Sequence, residues 1–513
     1  MSAPALTCTP RRDPGIRATL TPRHTSWGGA SISGSRWVAL VVLCSGMLMI
    51  VLDATVVNVA LPSIQNDLGF PASSLAWVVN AYLIAFGGLL LLAGRLGDLL
   101  GRRNVFLAGL GVFTGASLLC GLAQSQSQLV GARFVQGVGG ALTSAVILGM
   151  IVTMFTEPHE QAKAIGIYAF VASAGGALGL LAGGVLTQLI SWHWIFLVNV
   201  PIGIATAVLA QRVIKRDAGV GLGNGADFPG ALLITGALML GVFTIVKPAA
   251  ELGWLAGRTL GLGALSLVLL AGFAVRQLTA GNPLMPPRIF RSRQVTGANL
   301  VQILSVAGVF GMFFLGSLYL QRILGYTPLQ IGLAFLPVDI VMGTLSLRYT
   351  GRLVMRFGAR GVLLPGLVMM AAGLVAFTQA PVGGRYLSHV FPVMLLLGAG
   401  AGLSFPAMMT LAMSGATPGD AGLASGLVNT TAQVGGALGL AVLATVSAQR
   451  SSALTTAGRS DLASLTGGYH LAFWIAAGLE VAAIIVATLF LWPQSPDEQD
   501  TITGSSPEVD VPT

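Results

Sequence analysis

Between residues 37 and 492 the chain is a succession of apolar stretches, 19 to 26 residues long, separated by short polar breaks. About 20 apolar residues cross the hydrocarbon core of a bilayer as a helix, so each stretch predicts one membrane span. Fourteen are predicted, near 37–60, 75–97, 104–123, 128–152, 163–188, 193–211, 228–247, 256–276, 295–320, 329–349, 361–380, 387–412, 423–447 and 470–492. The chain is therefore expected to be an all-α membrane protein.

The positions of the basic residues test that count. With the N-terminus inside, inner segments and their span ends carry 20 Arg and Lys and outer ones carry 6, and the remaining one, Arg133, lies within a span. Such an excess follows the positive-inside rule and puts both tails in the cytoplasm. Composition agrees with a chain that lives in lipid: 54% apolar, 9% charged and a mean hydropathy of +0.82. The net charge of +9 and pI near 10 would suit nucleic acid, but the basic residues sort by membrane side, so no nucleic-acid partner is expected. Arg outnumbers Lys 24 to 3, a hint of a GC-rich bacterial genome. Cys8, Cys44 and Cys120 form neither metal spacing nor a disulfide framework. Residues 1–36 are polar and lack the apolar core of a cleavable signal, and residues 494–513 are acidic. Both read as disordered cytoplasmic tails.

Two stretches repeat. GRLGDLLGRR at 94–103 aligns with GRLVMRFGAR at 351–360, an offset of 257, and GGALGL at 175–180 recurs at 435–440, an offset of 260. Nearly equal offsets, each linking span n to span n+8, predict two six-helix bundles, 37–212 and 295–493, with an additional pair of helices at 227–277. Parallel repeats of this kind place a transport site at the midplane between the halves.

The candidate chemistry is a handful of polar residues inside the spans. LDATVVNVALP (52–62) carries Asp53, Thr55 and Asn58, pointing around the first span rather than along one stripe. A buried Asp favours its neutral form, so Asp53 reads as a protonation site, or as a buried acid hydrogen-bonded for structure. In RFVQGVGGALTSA (133–145), Arg133, Gln136, Gly137 and Gly140 share one face of the fourth span. Arg133 needs an anion in lipid, and Asp53 is the nearest candidate; an Arg snorkelling near a helix end is the alternative. Gly175, Gly179 and Gly183, with Gly184 beside them, make a small-residue stripe on the fifth span that suits close helix packing. In the 94–103 loop Asp98 follows Gly94 by four residues and could bind a helix N-terminus or pair with Arg102 or Arg103. A solvated loop charge would look the same. Met355 occupies the matching position of the second repeat, so any such latch is one-sided. Asp339 and Glu480 are the other acids within spans; either could meet a cationic substrate or a second proton, or lie near an interface. His389 and His470 read as structural.

LDATVVNVALP resembles the first-helix signature of the fourteen-helix drug:proton antiporters of the major facilitator superfamily, the EmrB/QacA type. GRLGDLLGRR, RFVQGVGGA and GGALGLLAGG are similar to that superfamily's loop 2–3, helix 4 and antiporter motifs. SWHWIFLVNVPIG (191–203) and SGLVNTTAQVGGALGLAV (425–442) also resemble this branch. Departures are Leu180 where Pro follows the central Gly of the antiporter motif, His193 where Arg is common, and Ala432 where Arg often precedes Gln433. The resemblance implies a major facilitator fold and export of amphipathic, cationic or neutral drugs from a bacterial inner membrane in exchange for protons. Asp53 and Arg133 would couple the proton. Asp53, Asn58, Gln136 and Asp339 would face a substrate cavity, and Gly94, Asp98, Arg102 and Arg103 would latch the cytoplasmic side. A dedicated exporter of one metabolite, lipid or self-made antibiotic is the rival reading, and a membrane-embedded sensor is the rival of another class. No nucleotide loop, metal cluster or nucleophile–His pairing suggests an enzyme or a cofactor other than the proton. The expected partners are small organic substrates and the bilayer. The oligomeric state is left open, with a monomer as the working expectation.

Overall fold

In lipid every backbone N–H and C=O must be satisfied within the chain, and the helix does this within one segment. The computed structural model describes residues 32–71, 74–217, 219, 221, 225–414 and 421–491. Among them there are helices and no strands. The elements are α1 (Ile32–Leu68), α2 (Trp77–Leu100), α3 (Arg102–Gly121), α4 (Gln126–Met154), α5 (Pro158–Leu189), a short α6 (Trp194–Leu197) and α7 (Asn199–Val213). Then come α8 (Phe228–Thr244), a π turn and the short α9 (Ala250–Leu252), and α10 (Gly257–Thr279). The second half holds α11 (Arg293–Arg322), α12 (Pro328–Thr344), α13 (Gly351–Phe377), α14 (Phe391–Ser414), α15 (Ala421–Thr456) and α16 (Asp461–Phe490). Among the described residues twelve segments are long and apolar enough to cross a membrane, where the sequence predicts fourteen. One of the twelve, Pro328–Phe377, takes in two predicted spans, and α5 contributes only the shorter apolar piece Ala174–Leu189.

The tails expected at 1–36 and 494–513 lie outside the described residues, except that α1 begins at Ile32, inside the first. The polar start of α1 is anchored instead of loose. Arg36 Nη1 pairs with Glu160 of α5 at 3.4 Å, and Lys163 lies over the Trp37 ring.

The two repeats are visible as geometry. Gly101 and Gly358, paired by the 257-residue offset, both take a positive φ, 90° and 74°. Only glycine adopts that region readily, so each motif makes the same sharp break between helices. In the other pair, Gly175 approaches Val51 of α1, while Gly435 approaches the backbone of Ile303 of α11. Each repeat thus packs its glycines on the first helix of its own half.

The halves meet along three seams, α1 on α11, α5 on α12 and α2 on α15. The helices α8 and α10 lie outside them: α8 packs on both α2 and α15, and α10 on α8. The pair is pinned by Asp227. Its carboxylate accepts from Gly230 N of its own helix at 3.0 Å, from Arg276 Nε at 2.9 Å and from Gln277 Nε2 at 2.9 Å. Burial pushes this carboxyl up, but the bonds from Arg276, Gln277 and Gly230 outweigh it and hold it below the usual carboxylate range. A group depressed in this way adds stability above its ordinary titration range, and the contribution vanishes as pH falls through the lower folded value. Asp227→Ala is expected to lower stability at neutral pH by about 1 kcal/mol or somewhat more, the loss of an N-cap. Thermal unfolding in lipid nanodiscs at neutral and acidic pH should show the gap between variant and wild type shrinking on acidification.

Candidate functional site

Asp53 lies midway along α1, and four other helices, α2, α3, α4 and α7, converge on its cluster. All the side chains of the cluster are sealed: Asp53, Arg133, Gln136 and Ser117 are 0% exposed and Asn199 is 1% exposed. Arg133 Nη1 donates to Asp53 Oδ2 at 2.5 Å and to Gln136 Oε1 at 2.7 Å, while Arg133 Nε donates to the Val78 carbonyl at 2.9 Å. Gln136 Nε2 donates to Asp53 Oδ1 at 2.7 Å and to Ser117 Oγ at 2.8 Å. Asn199 Nδ2 of α7 completes the carboxylate's set at 3.2 Å. The carboxylate thus meets a cation and two amides, which compensates much of the expense of carrying a charge into lipid. The position answers why the residue tolerates an apolar helix: it faces protein on every side.

Tyr82 of α2 forms the wall between this cluster and open space. The Arg133 guanidinium carbon sits 4.4 Å from the Tyr82 ring centroid, within cation–π range. The same Tyr82 lines a cavity of about 1280 Å³. Met47, Ile50 and Ala54 of α1, Phe86 of α2 and Asn429 and Gln433 of α15 form other parts of its wall. Arg95, Asp98, Arg102 and Arg288 lie at its mouth. The far end is closed between the halves. Arg322 of α11 donates to Gln65 of α1, and Leu329 N of α12 donates to Gln188 Oε1 of α5 at 3.2 Å. Gly184 there leaves no room for a side chain: a Cβ would stand 2.8 Å from Leu329 Cα and 2.9 Å from the Pro328 carbonyl.

Residues 94–103, expected as a loop, are instead the last turns of α2 and the start of α3, broken at Gly101, and their side chains turn toward their own half. Asp98 Oδ1 pairs with Arg102 Nη2 at 3.2 Å, and Arg102 Nη1 donates to the Gly149 carbonyl of α4 at 3.0 Å. The N-terminus of α3 is occupied by Asp217, which accepts from Arg102 N at 2.6 Å and Arg103 N at 3.1 Å. An anion at a helix N-terminus is favoured by the free N–H groups and the dipole.

Residues 43–440 match the family described as Major Facilitator Superfamily.

The chain belongs to the major facilitator superfamily.

This superfamily member is 40% identical over 464 residues to the puromycin resistance protein of Streptomyces alboniger, covering 89% of this chain and 91% of that one. It is also 40% identical over 469 residues to the cephamycin export protein CmcT of Amycolatopsis lactamdurans, covering 90% of this chain and 93% of that one. Its fold is shared by a bacterial homologue of the lysosomal transporter Spinster, in an inward-facing and unoccupied conformation. There the TM-score is 0.65 at 16% identity, covering 91% of this chain and all of that one. The chain is thus a multi-pass membrane transporter with antibiotic resistance and export proteins among its relatives.

Of the residues marked out in the sequence, the transporter brings Asp53, Arg133 and Gln136 together. It does not put the expected cavity set on the cavity wall. Asp53 and Gln136 stand behind Tyr82, because the buried charge is held by α3, α4 and α7 and not by solvent. Asn58 bonds back to the Ala54 carbonyl at 3.4 Å, satisfying itself along its own helix. Asp339 sits in the α5–α12 seam beside Gly176, and its Oδ2 is buried with no hydrogen-bond partner. Gly175, Gly179 and Gly183 face α1, whereas Gly184 faces the other half. Gly94 lines the cavity and abuts nothing, while Gly97 is the one packed tightly, with Val146 2.5 Å from where its Cβ would be. His470 contacts the Ala380 carbonyl at 2.8 Å, and His389 lies beside Ser388 at 2.8 Å. Sequence reasoning missed Tyr82, Ser117 and Asn199 in the cluster and Asp217 at α3. Asn199 lay within SWHWIFLVNVPIG, and Asp217 was the acid directly after Lys215 and Arg216 in the linker between α7 and α8. Both are single polar residues in plain sight whose partners are distant in sequence.

Proposed function

We propose that this transporter exports amphipathic antibiotics or drugs in exchange for protons, from a bacterial inner membrane, with both termini cytoplasmic. The observation that carries the reading is the sealed Asp53–Arg133 pair set behind Tyr82, one aromatic ring away from a cavity large enough for a drug. A proton that neutralises Asp53 weakens its hold on Arg133, so loading the proton and rearranging the wall become one event. The halves, 37–212 and 295–493, rock about the cavity, and the bonds between Gln65 and Arg322 and between Gln188 and Leu329 close the far side in the conformer described. The 20-to-6 distribution of basic residues supports assigning the open mouth to the cytoplasm. In the opposite conformer the 94–103 segment, at the junction of α2 and α3, would close that mouth.

Fourteen spans remain our reading. A 50-residue helix such as Pro328–Phe377 would be about 75 Å long at 1.5 Å per residue, against about 30 Å of hydrocarbon. Its break at Gly358 turns it into two. The wall around the cavity carries one acid among the described residues, Asp98, which is paired to Arg102. This favours neutral amphipathic substrates over the cations that Asp53 or Asp339 in the wall would have selected. The names of several relatives each cite one antibiotic, puromycin and cephamycin among them, which favours the second reading, a narrow exporter. A panel of unrelated dyes and antibiotics separates the two: one transported compound points to the narrow exporter, many to multidrug efflux.

In proteoliposomes with an imposed proton gradient, Asp53→Asn is expected to abolish gradient-driven efflux of any transported compound while ligand binding persists. Full pumping by that variant would sink the coupling role.

A further inference from the structure

The second half carries its own sealed acid. Glu480 of α16 is 0% exposed, accepts from Ser305 Oγ of α11 at 3.0 Å through Oε2, and leaves Oε1 buried with no hydrogen-bond partner. The position is the counterpart of the Asp53 cluster. Gly175 and Gly179 pack against Val51 and Thr55 of α1, while Gly435 and Gly439 pack against Ile303 and Ala307 of α11. That places Ser305 where the first half has Asp53. Asp53 and Asn199 bond the first helix of their bundle to the last, and Ser305 and Glu480 do the same in theirs, with the acid moved to the other helix. The compensation is different. Asp53 has Arg133; Glu480 has one hydroxyl. Three helices pack on α16. From α11 the facing polar group is Ser305, and its cations, Arg293 and Arg322, stand at its ends. From α15 the cation is Arg450, about three turns beyond the helix midpoint, and α13 contributes Arg352, Arg356 and Arg360. Arg360 reaches the Thr488 carbonyl at 3.1 Å, two turns along α16 from Glu480. On α16 itself the other titratable groups are Asp461, Tyr469 and His470, near its start. A naked carboxylate in such a place is strongly disfavoured. On α11, Asn299, Gln302 and Ser305 are buried polar residues spaced three apart, 4%, 9% and 0% exposed, on the stretch between the start of the helix and the Glu480 contact.

Building on the coupling reading above, we propose that Glu480 and Ser305 form a second proton-binding site, so that each half of the transporter carries one exchangeable proton. The proton binds Glu480 Oε1 as an ordinary O–H bond and leaves as the carboxylate re-forms; no other bond changes.

Infrared difference spectroscopy on the full chain in nanodiscs tests this without any substrate. Wild type minus Glu480→Gln is expected to show the C=O stretch of a neutral carboxyl at neutral pH, and that band is expected to bleach as the medium is made alkaline. Ser305→Ala keeps the acid and shifts the band, which covers the case of a Glu480→Gln variant that fails to fold. A band that is absent, or that no pH change moves, overturns the proposal and leaves a structural side chain. Asp53→Asn distinguishes the two readings. If it pumps normally the coupling role of Asp53 fails, whatever the Glu480 band does, whereas a missing Glu480 band leaves Asp53 coupling intact.

Discussion

Arg133→Gln is expected to destabilise the folded transporter by about 3–5 kcal/mol, because it leaves the Asp53 carboxylate sealed from water with amides but no cation beside it. Arg133 contributes three of the bonds that hold the cluster, to Asp53, Gln136 and the Val78 carbonyl. Adding Asp53→Asn should restore much of the loss, since the double variant is neutral and the amide introduced on α1 could bond Gln136 and Asn199. The two changes are therefore expected to be strongly non-additive, as for any pair in direct contact. Transport should be lost in the single and the double variant alike, separating stability from coupling. Thermal unfolding of the four proteins in nanodiscs reads the cycle. Simple addition of the two losses would mean that Asp53 and Arg133 do not act as one unit.

Gly184→Val is expected to act on conformation rather than on folding. Gly179 and Gly183 of the same stripe face α1 within their own half, so a side chain there strains the bundle in every conformer. Gly184 meets Pro328 and Leu329 across the seam, and the atoms it meets are backbone, which cannot swing aside. An overpacking strain of about 1–3 kcal/mol, present only when the far end is closed, would shift the ratio of conformers about 5–150-fold. Spin labels placed on the far ends of the two halves should report a longer distance in the variant. An unchanged distance distribution would mean that the α5–α12 seam does not open.

Much of the site was legible because its parts are rare residue types. A carboxylate and a guanidinium inside apolar runs are conspicuous, and their mutual need for a partner joins Asp53 to Arg133 before any coordinates exist. The repeat offset was equally legible, and it anticipates the matched positive-φ breaks at Gly101 and Gly358. What failed was inference about direction. Asn58 and Asp339 were assigned to a cavity because they are polar within spans, yet Asn58 bonds to its own helix and Asp339 lies in a seam. Asp98 was a candidate for a helix N-terminus, which Asp217 occupies at α3. A polar residue in a span declares that it needs a partner; the helix that supplies the partner is set by rotation and packing. The span count shows the same limit. Hydropathy marks how much chain is apolar, but the continuous helical stretch from Pro328 to Phe377 is divided only by a local backbone angle.

By itself the sequence determined that the chain is a bundle of membrane helices in two related halves, because lipid forces backbone polar groups into helices and makes each buried charge expensive. Only the tertiary structure decided which side chains face one another. It sealed Asp53 behind Tyr82, aimed Gly184 across the seam and left Glu480 with a lone serine. Those outcomes depend on how helices rotate and cross, and contacts between residues more than a hundred positions apart are fixed by the packing of the whole bundle.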